Sequence, residues 1–567
     1  MSDRPVLDID IVCVGFGPAM GGFLTTLSRS GLSPNVICYE RADDIAFGVS
    51  GAVTRARGIR ASFPDLDPSE IPMATRVAHE KVLYLLDPAG ASRRSTGLRL
   101  ADRAIGAVRL ARHSAVELPY TPPFLRKDDG LLFSIGQFNQ WVGSQLIGSG
   151  AVQIWPGTPV SGPLIEGDRV AGVELPDMDV RAALTVVGDG PVGAVGRRLD
   201  ERFGLPPGHH PREWAVGAKM VIDLPERVDL EPGTVFHSFG YPEPEIFGFF
   251  YVHPERVASV GIFVPSWFRC PVRTSYRYLQ HYIQHPYLWR YLEGGTLRSW
   301  GAKSLAESGR RGEPYLAGDG WARIGEGSGS TNVLTGSGVD EAWTTGTQLA
   351  EGVVELMKDG RPFTRQNLEE TYVRRRRASW VEAEGRIAER ARDGFHRGVI
   401  AGLAGMALAG MTKGRFALGG EPKPMPPIAE YYRGRIPADE VLRIQRECAA
   451  KGTGAHDALM ERAGWPEIAC DGKLLMSLQD ALLVGGKVQA APGYPDHVRF
   501  TDSAACEDCD ARTCVEICSG QAITPGTGAV PAFDREKCVY CGACLWNCPA
   551  GAICFEAGAG GLHSAEN

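Results

Sequence analysis

Residues 9–22 read IDIVCVGFGPAMGG, and this stretch decides the fold. Ile9 to Val14 is a short apolar strand, and Gly15-Phe-Gly17 leads from it into a helical stretch that runs through Ser28. A glycine turn between a first strand and a helix lets backbone N–H groups approach a pyrophosphate, and the helix N-terminus adds a favourable dipole. One departure stands out. The third glycine position of the fingerprint holds Met20, with glycine only at Gly21 and Gly22, where a glycine normally permits close helix–strand packing. Asn35 to Tyr39 predicts the second strand, and Glu40 at its end is placed to accept the ribose hydroxyls of an adenosine, with Arg41 beside it. The competing reading is a glycine-rich turn in an α/β fold that holds no ligand.

Working outward, Ser50-Gly51 follows the second strand closely enough to line the same cleft. Leu131 to Gly148 predicts a helix. A strand pair at 170–175 and 182–187 leads to Gly188-Asp189-Gly190-Pro-Val-Gly193, a second glycine fingerprint. Its continuation, FGLPPGHHPREW, is a proline-rich loop where a second strand ending in an acid should lie. We therefore expect a return strand of the first domain, with Asp189 and Gly190 closing over the same nucleotide. Residues 214–264 carry several β-type runs, and IFGFFYV at 246–252 reads as a buried strand. A further strand is expected to end at Leu316–Gly320, with Asp319 at its tip. After it, IGEGSGSTNVLTGSGVDEA enters a helix near Val339, and Gly336 and Gly338 suit the polarisable end of a flavin.

The other decisive region is rich in cysteine: CEDCDARTCVEIC at 506–518 and CVYCGACLWNCP at 538–549. Eight of the chain's 14 cysteines fall here. A cubane needs four thiolates, and a C-x2-C-x2-C loop supplies three while the fourth comes from the other run. On that rule Cys538, Cys541 and Cys544 take Cys518, and Cys506, Cys509 and Cys514 take Cys548. The first run departs from the usual spacing through its x4 gap, and Ser519 stands where proline often follows. Zinc is the alternative, though it usually takes two C-x2-C pairs well separated in sequence. Disulfides are not expected, because the polar, acidic opening MSDRPVLDID lacks the pattern of a secretory leader.

At 567 residues the chain exceeds a single core, and a net charge of −7 argues against a nucleic-acid partner. That charge is compatible with docking a protein that presents basic residues. No apolar run is long enough to span a bilayer. No internal repeat stands out at a fixed period. The helix entered at Val339 is expected to continue through VRRRRASW, with Arg374 to Arg377 a solvated face, into the apolar stretch 399–411. With Arg392, Arg397, Lys413 and Arg415 around it, that stretch suits either a buried core helix or a segment dipping into one leaflet. GGEPKPMPP at 419–427 reads as a linker, and PADEVLRIQRECAA and HDALMERAGW as helices. Cys13, Cys38, Cys270, Cys448, Cys470 and Cys554 lack ligand spacing.

With these pieces placed, the chain resembles the electron-transfer-flavoprotein:quinone oxidoreductase family and its relative, the nitrogen-fixation-associated flavoprotein. The resemblance rests on GFGPAMGG, SGAV, QHPYLWRYLEGG with GAKSLAESG, the 324–342 loop, ETYVRRRRASW, DGKLLMSLQDALLVGGKVQ and the cysteine region. The C-terminal part is most similar to the small ferredoxin that accompanies the nitrogen-fixation flavoprotein, so the chain resembles a fusion of the two. The fold this implies is α/β with a small α+β part. A Rossmann-like, glutathione-reductase-type FAD domain (1–75, 130–213, 300–395) would hold an inserted β-rich quinone domain (76–129, 214–299). An apolar membrane-dipping segment (396–415), a linker with helices (416–480) and a ferredoxin-like iron–sulfur domain (481–567) would follow.

The same resemblance implies roles. Gly15, Gly17, Gly21, Glu40 and Arg41 would hold the adenosine and pyrophosphate of FAD, and Ser50, Gly51, Asp189, Gly190 and Asp319 its other contacts. Gly336 and Gly338 would lie beside the flavin ring, and Cys518, Cys538, Cys541 and Cys544 would bind a [4Fe-4S] cluster. The implied activity passes electrons from reduced electron-transfer flavoprotein to a membrane quinone, with no catalytic acid or nucleophile. The protein would be monotopic on the cytoplasmic face of the inner membrane. Rival readings are a relay subunit of a larger, bifurcating complex and a flavin-dependent isoprenoid reductase.

Overall fold

The computed structural model describes residues 4–45, 51–108, 110–485, 488 and 495–556. Strand β1 (Val6–Val14) alternates exposed and half-buried residues as far as Asp10, then is buried from Ile11 to Val14. Its period of two divides it between two cores: Ile11 and Cys13 face one, Val12 and Val14 the other. Helix α1 (Pro18–Ser28) follows with proline in its first turn. β1 pairs in parallel with β2 (Val36–Tyr39) on one side and β3 (Asp179–Val187) on the other. Gln153–Trp155 and Trp321–Arg323 extend the parallel sheet outward from β2 and β3. The return strand expected at 182–187 is therefore in place.

Three expected elements need correction. Leu131–Ser134 is a buried strand paired with Gly51–Thr54, and only Ile135–Ser149 is helical, because the continuous apolar run LLF fits a strand covered on both faces. The strand expected at Leu316–Gly320 shrinks to Ala317–Gly318 and is antiparallel. The parallel strand is Trp321–Arg323, just past the left-handed Gly320 (φ +77°). Helix α2 (Val339–Lys358) does not continue to 397. It stops before Gly360 (φ +64°) and Pro362, and shorter helical pieces follow.

α1 and α2 pack on the same face of the sheet, and glycines set their separation. A Cβ at Gly22 would lie 2.4 Å from the Trp343 carbonyl oxygen, and one at Gly346 only 1.8 Å from that of Ala19. Met20 is fully buried, and its Cε reaches the room that Gly188 leaves by having no side chain. The close approach is thus supplied by Gly22 and Gly346, and Met20 fills the core instead.

The second sheet is almost entirely antiparallel. Its order is β7 (Thr296–Ala306), β4 (Trp214–Asp223), β6 (Val257–Pro265), β5 (Phe247–Val252), Thr234–Phe239, His79–Leu85 and Ala115–Glu117, where only Thr234–Phe239 and His79–Leu85 run parallel. The run at 246–252 is the buried strand expected. Helices Ala438–Ala450, His456–Arg462 and Leu478–Val484 cover this sheet in one core, and buried Trp300 donates from Nε1 to the Ala481 carbonyl at 2.8 Å.

Arg374–Arg377 is only partly a solvated face: Arg374 and Arg377 are exposed, Arg375 is half-buried and Arg376 turns inward. Arg376 is 2% exposed and donates to Ser328 and Glu313, and Arg377 pairs with Glu313 and Glu382. Helix α3 (Val399–Met411) packs Val399, Met406 and Ala409 against Trp267 and Phe395, while Ile400 and Met411 face outward.

The cysteine region carries two short helices, α4 (Thr513–Glu516) and α5 (Ala543–Asn547), and two small antiparallel pairs, Val498–Phe500 with Ile553–Phe555 and Ile523–Thr524 with Ala532–Phe533. It docks on the second sheet. Ser304 on β7 donates its backbone N–H to the Cys541 carbonyl at 2.7 Å, and Trp546 Nε1 donates to Ser304 Oγ at 2.8 Å. Trp214 stacks on Trp546 with ring planes 5° apart.

The helix contact makes a direct prediction. Gly346→Ala must push α1 and α2 apart and should destabilise the protein by about 1–3 kcal/mol or more. Gly148→Ala, on an exposed helical turn with nothing near the added methyl, should be neutral or stabilising by up to about 1 kcal/mol. Chemical denaturation of both variants checks the contrast.

Candidate functional site

The carboxyl ends of β1, β2 and β3 open into a cavity of about 370 Å³ shared with the second sheet. The first turn shapes one end. Gly15 has φ +81°, and a side chain there would strike the Gly188 carbonyl at 2.9 Å, so only glycine fits. Gly17, Gly190 and Gly336 also face the cavity, and a Cβ on any of them would meet open space. Backbone lies bare here, as close approach of a phosphate-bearing ligand requires.

Glu40 and Arg41 line the same cavity. Glu40 is buried, and its two oxygens accept from Phe16 N at 2.7 Å and Ala42 N at 2.9 Å. The carboxylate thus clamps the glycine turn to the end of β2 and keeps further lone pairs for hydroxyl donors. The Arg41 guanidinium lies 3.5 Å over the Tyr540 ring, so this end of the cavity touches the cysteine region. Asp189 accepts from Gly196 N at 2.9 Å across the start of helix Ala194–Phe203, and burial raises its pKa. Gly190 follows it into the cavity wall, so the second fingerprint belongs to the first cleft and not to another domain.

At the far end Gly51 lies against Ser259 of β6, and Gly336 and Gly338 stand in the loop before α2. That loop is held from below: Lys127 is 2% exposed and donates from Nζ to the Thr335 carbonyl at 3.0 Å. Burial pushes the Lys127 ammonium down to about 8.

Two expected residues do not reach the cavity. Gly21 packs against the Trp343 ring, which is why it must be small. Asp319 is exposed in the turn between two antiparallel strands, where it accepts from Arg365 N at 2.9 Å. The parallel strand that follows delivers Gly325 and Glu326 to the cavity instead. Ser50 lies outside the described residues.

Sequence reasoning missed several residues that line the site. Lys219 and Lys303 sit on adjacent strands β4 and β7, two inward-facing lysines in otherwise apolar runs. Burial lowers the Lys303 pKa and raises that of Glu326, each partly opposed by the other's charge. Glu307 is paired with Arg392, and its Oε2 is buried with no hydrogen-bond partner. A cation or carboxylate at an inward position of a strand is the available signal, through the period of two.

Cys518, Cys538, Cys541 and Cys544 are all buried. Ala522 N donates to Cys518 Sγ at 3.2 Å and Tyr540 N to Cys538 Sγ at 3.3 Å, and His497 Nε2 lies 3.3 Å from the same Cys538 sulfur. N–H groups aimed at cysteine sulfurs suit thiolate ligands. Among the described residues no three Cys, His, Asp or Glu side chains converge on a single-ion site. A cubane arranges its ligand sulfurs around a larger core.

A family model described as ETF-QO, ubiquinone-binding, matches residues 214–305, and one described as a 4Fe-4S binding domain matches residues 530–553. The electron transfer flavoprotein-ubiquinone oxidoreductase of Pseudomonas aeruginosa is 25% identical over 410 residues, or 67% of this chain and 69% of that protein. The mitochondrial protein of that name from Dictyostelium discoideum is 25% identical over 432 residues, 70% and 66% of the two chains. The match thus spans about two thirds of these relatives' length. A geranylgeranyl bacteriochlorophyll reductase-like protein from Thermoplasma acidophilum aligns with a TM-score of 0.52 at 16% identity, over 72% of this chain and 91% of that one, a likeness of fold alone. With a quinone-domain match on the second sheet, a 4Fe-4S match on the cysteine region and relatives of one name, the chain is similar to the electron-transfer-flavoprotein:quinone oxidoreductases.

Proposed function

We propose that this chain is a flavin and iron–sulfur oxidoreductase that carries electrons from reduced electron-transfer flavoprotein to a quinone. One observation carries the reading. The strand that lines the nucleotide cavity, β7, also receives the buried cysteines: Lys303 and Leu305 face the cavity, and Ser304 between them donates to the Cys541 carbonyl at 2.7 Å. One hydrogen bond therefore joins the two sites.

FAD would fit the cavity along the glycines that line it, Gly15, Gly17, Gly51, Gly190, Gly336 and Gly338, with Glu40 and Arg41 at the adenosine end. It supplies a centre that takes electrons singly or in pairs, so one-electron carriers can serve a two-electron quinone. The chain's own residues position and insulate. Glu40 fixes the turn, Lys219 and Lys303 place positive charge in a dry wall, and Phe247, Phe249 and Tyr251 on β5 keep that wall apolar. Cys518, Cys538, Cys541 and Cys544 would hold a [4Fe-4S] cluster behind β7.

The quinone is proposed to enter beside α3. That helix covers Trp267 and Phe395, next to Phe247 on the cavity wall, and turns Ile400 and Met411 outward, with Phe416, Lys413 and Arg415 exposed just beyond. Apolar side chains flanked by cations suit one leaflet of an anionic membrane. We assign the contact to the cytoplasmic face of the inner membrane, as a monotopic attachment. Among the described residues no helix is long and apolar enough to cross a membrane.

Three outcomes follow. Under anaerobic conditions, reduced electron-transfer flavoprotein and a short-chain quinone should give quinol only when this protein is present with full cofactor content; no quinol from such protein would refute the assignment. Glu40→Ala should weaken FAD retention roughly tenfold to a hundredfold, at about 1–3 kcal/mol for a buried hydrogen-bonded carboxylate, read by flavin release during dilution. Ile400→Asp with Met411→Asp should abolish sedimentation with vesicles containing anionic lipid while leaving reduction of a soluble quinone analogue intact.

A further inference from the structure

We propose that Cys506, Cys509, Cys514 and Cys548 form a second [4Fe-4S] site, built as a near-duplicate of the inner four-cysteine set. The inference rests on the reading of that inner set as a [4Fe-4S] site.

The 4Fe-4S family match covers residues 530–553 and leaves the first cysteine run outside it. The structure repeats the matched half. Cys514 and Cys544 are each the second residue of a short helix, α4 and α5, and the two helices pack together. The residues before these helices, Arg512 (φ +38°) and Gly542 (φ +75°), are both left-handed. Past each helix, Ala522 N donates to Cys518 Sγ at 3.2 Å and Ala552 N donates to Cys548 Sγ at 3.3 Å. Ile523 and Ile553 then open short strands. Every pair from 514/544 to 523/553 keeps one constant offset in sequence. A scan for repeats over the whole chain misses this duplication because it is short and because the x4 gap breaks the offset for Cys506 and Cys509.

The x4 gap is accommodated at Asp510–Thr513, where the chain makes its left-handed step at Arg512 before α4. A non-glycine residue held there costs about 1 kcal/mol or more, and such strain persists where the surroundings demand it. Here it turns Cys514 back toward the first two cysteines. Cys506, Cys509, Cys514 and Cys548 consequently line one small cavity, walled by Phe500, Pro531 and Ile553. Each helix serves both sets: α4 leads from Cys514 in the outer to Cys518 in the inner, and α5 from Cys544 in the inner to Cys548 in the outer. Four sulfurs with no imidazole or carboxylate, in a mainly apolar wall that also carries Arg512 and Thr513, and with an N–H aimed at one of them, are donors for an iron–sulfur core. The outer set lies nearer the surface, since Cys509 and Cys548 are half-buried whereas all four inner cysteines are buried.

Metal and sulfide analysis of the full chain purified anaerobically tests this without any assay of turnover. We expect about eight iron and eight acid-labile sulfide per FAD, and two interacting paramagnetic centres in the dithionite-reduced protein. Cys509→Ser should lower both counts to about half with FAD retained, and Cys506→Ala should do the same. Four iron per FAD in the wild type, or one zinc in place of the additional iron, overturns the proposal even if either variant fails to fold. The inner reading fails separately, if Cys541→Ser leaves the iron count unchanged.

Discussion

The contact between β7 and the cysteine loop, Ser304 N–H to the Cys541 carbonyl, is the constraint on which the arrangement depends. β7 is an edge strand, and an edge strand leaves backbone groups without a ladder partner. Here the cysteine loop takes that position. The Trp546 indole caps the same residue, and Trp546 stacks flat on Trp214 beside it. Because side chains alternate on a strand, the residues on either side of Ser304 point the other way, into the nucleotide cavity. A strand edge thus serves both sites at once, and neither can shift by one residue without displacing the other.

The nucleotide end is organised by absence of side chains rather than by their presence. Gly15 accepts a backbone conformation closed to other residues and lets β1 and β3 converge at the turn. Gly22 and Gly346 let two helices meet backbone to backbone, so α2 can deliver Gly336 and Gly338 beside the cavity that α1 opens. Met20 belongs to the same economy of space: it takes the volume left at Gly188, and the register of the turn survives the loss of the third fingerprint glycine.

The sequence made the parallel strands, the turn, the place of Glu40 and the gathering of the cysteines legible because each rests on local chemistry: a period of two, a glycine conformation, a fixed cysteine spacing. Asp319 was misread for a local reason as well. The dipeptide Asp319-Gly320 looks like the end of a parallel strand, and only the pairing of Trp321–Arg323 with β3 shows that the chain has already turned back. Lys219, Lys303 and Glu307 were not legible, because their significance comes from strands far apart in sequence meeting on one wall. Arg376 shows the same limit. Four consecutive arginines read as a solvated face, and the partners that bury one of them, Ser328 and Glu313, lie on other elements.

Ion pairs of Arg377 and of arginines elsewhere in the chain also explain why α3 sits where it does. The helix is small and apolar, and on one face it offers little beyond Val399, Met406 and Ala409 to hold it. The segment that leads into it is fastened by charge: Glu382 with Arg310 and Arg377, Asp393 and Glu213 with Arg311, and Glu307 with Arg392. Exposed pairs of this kind contribute at most about 1 kcal/mol each, but Asp393, Glu213, Glu307 and Glu382 are largely buried, and breaking one leaves an uncompensated charge. Such pairs act more through geometry than through net stability. They fix the start of α3 against the cavity wall at Arg392, so the outward row of Ile400 and Met411 and the inward row on Trp267 are set by the protein itself. A helix held only by its apolar face could roll to bury both rows, and the ion pairs remove that freedom.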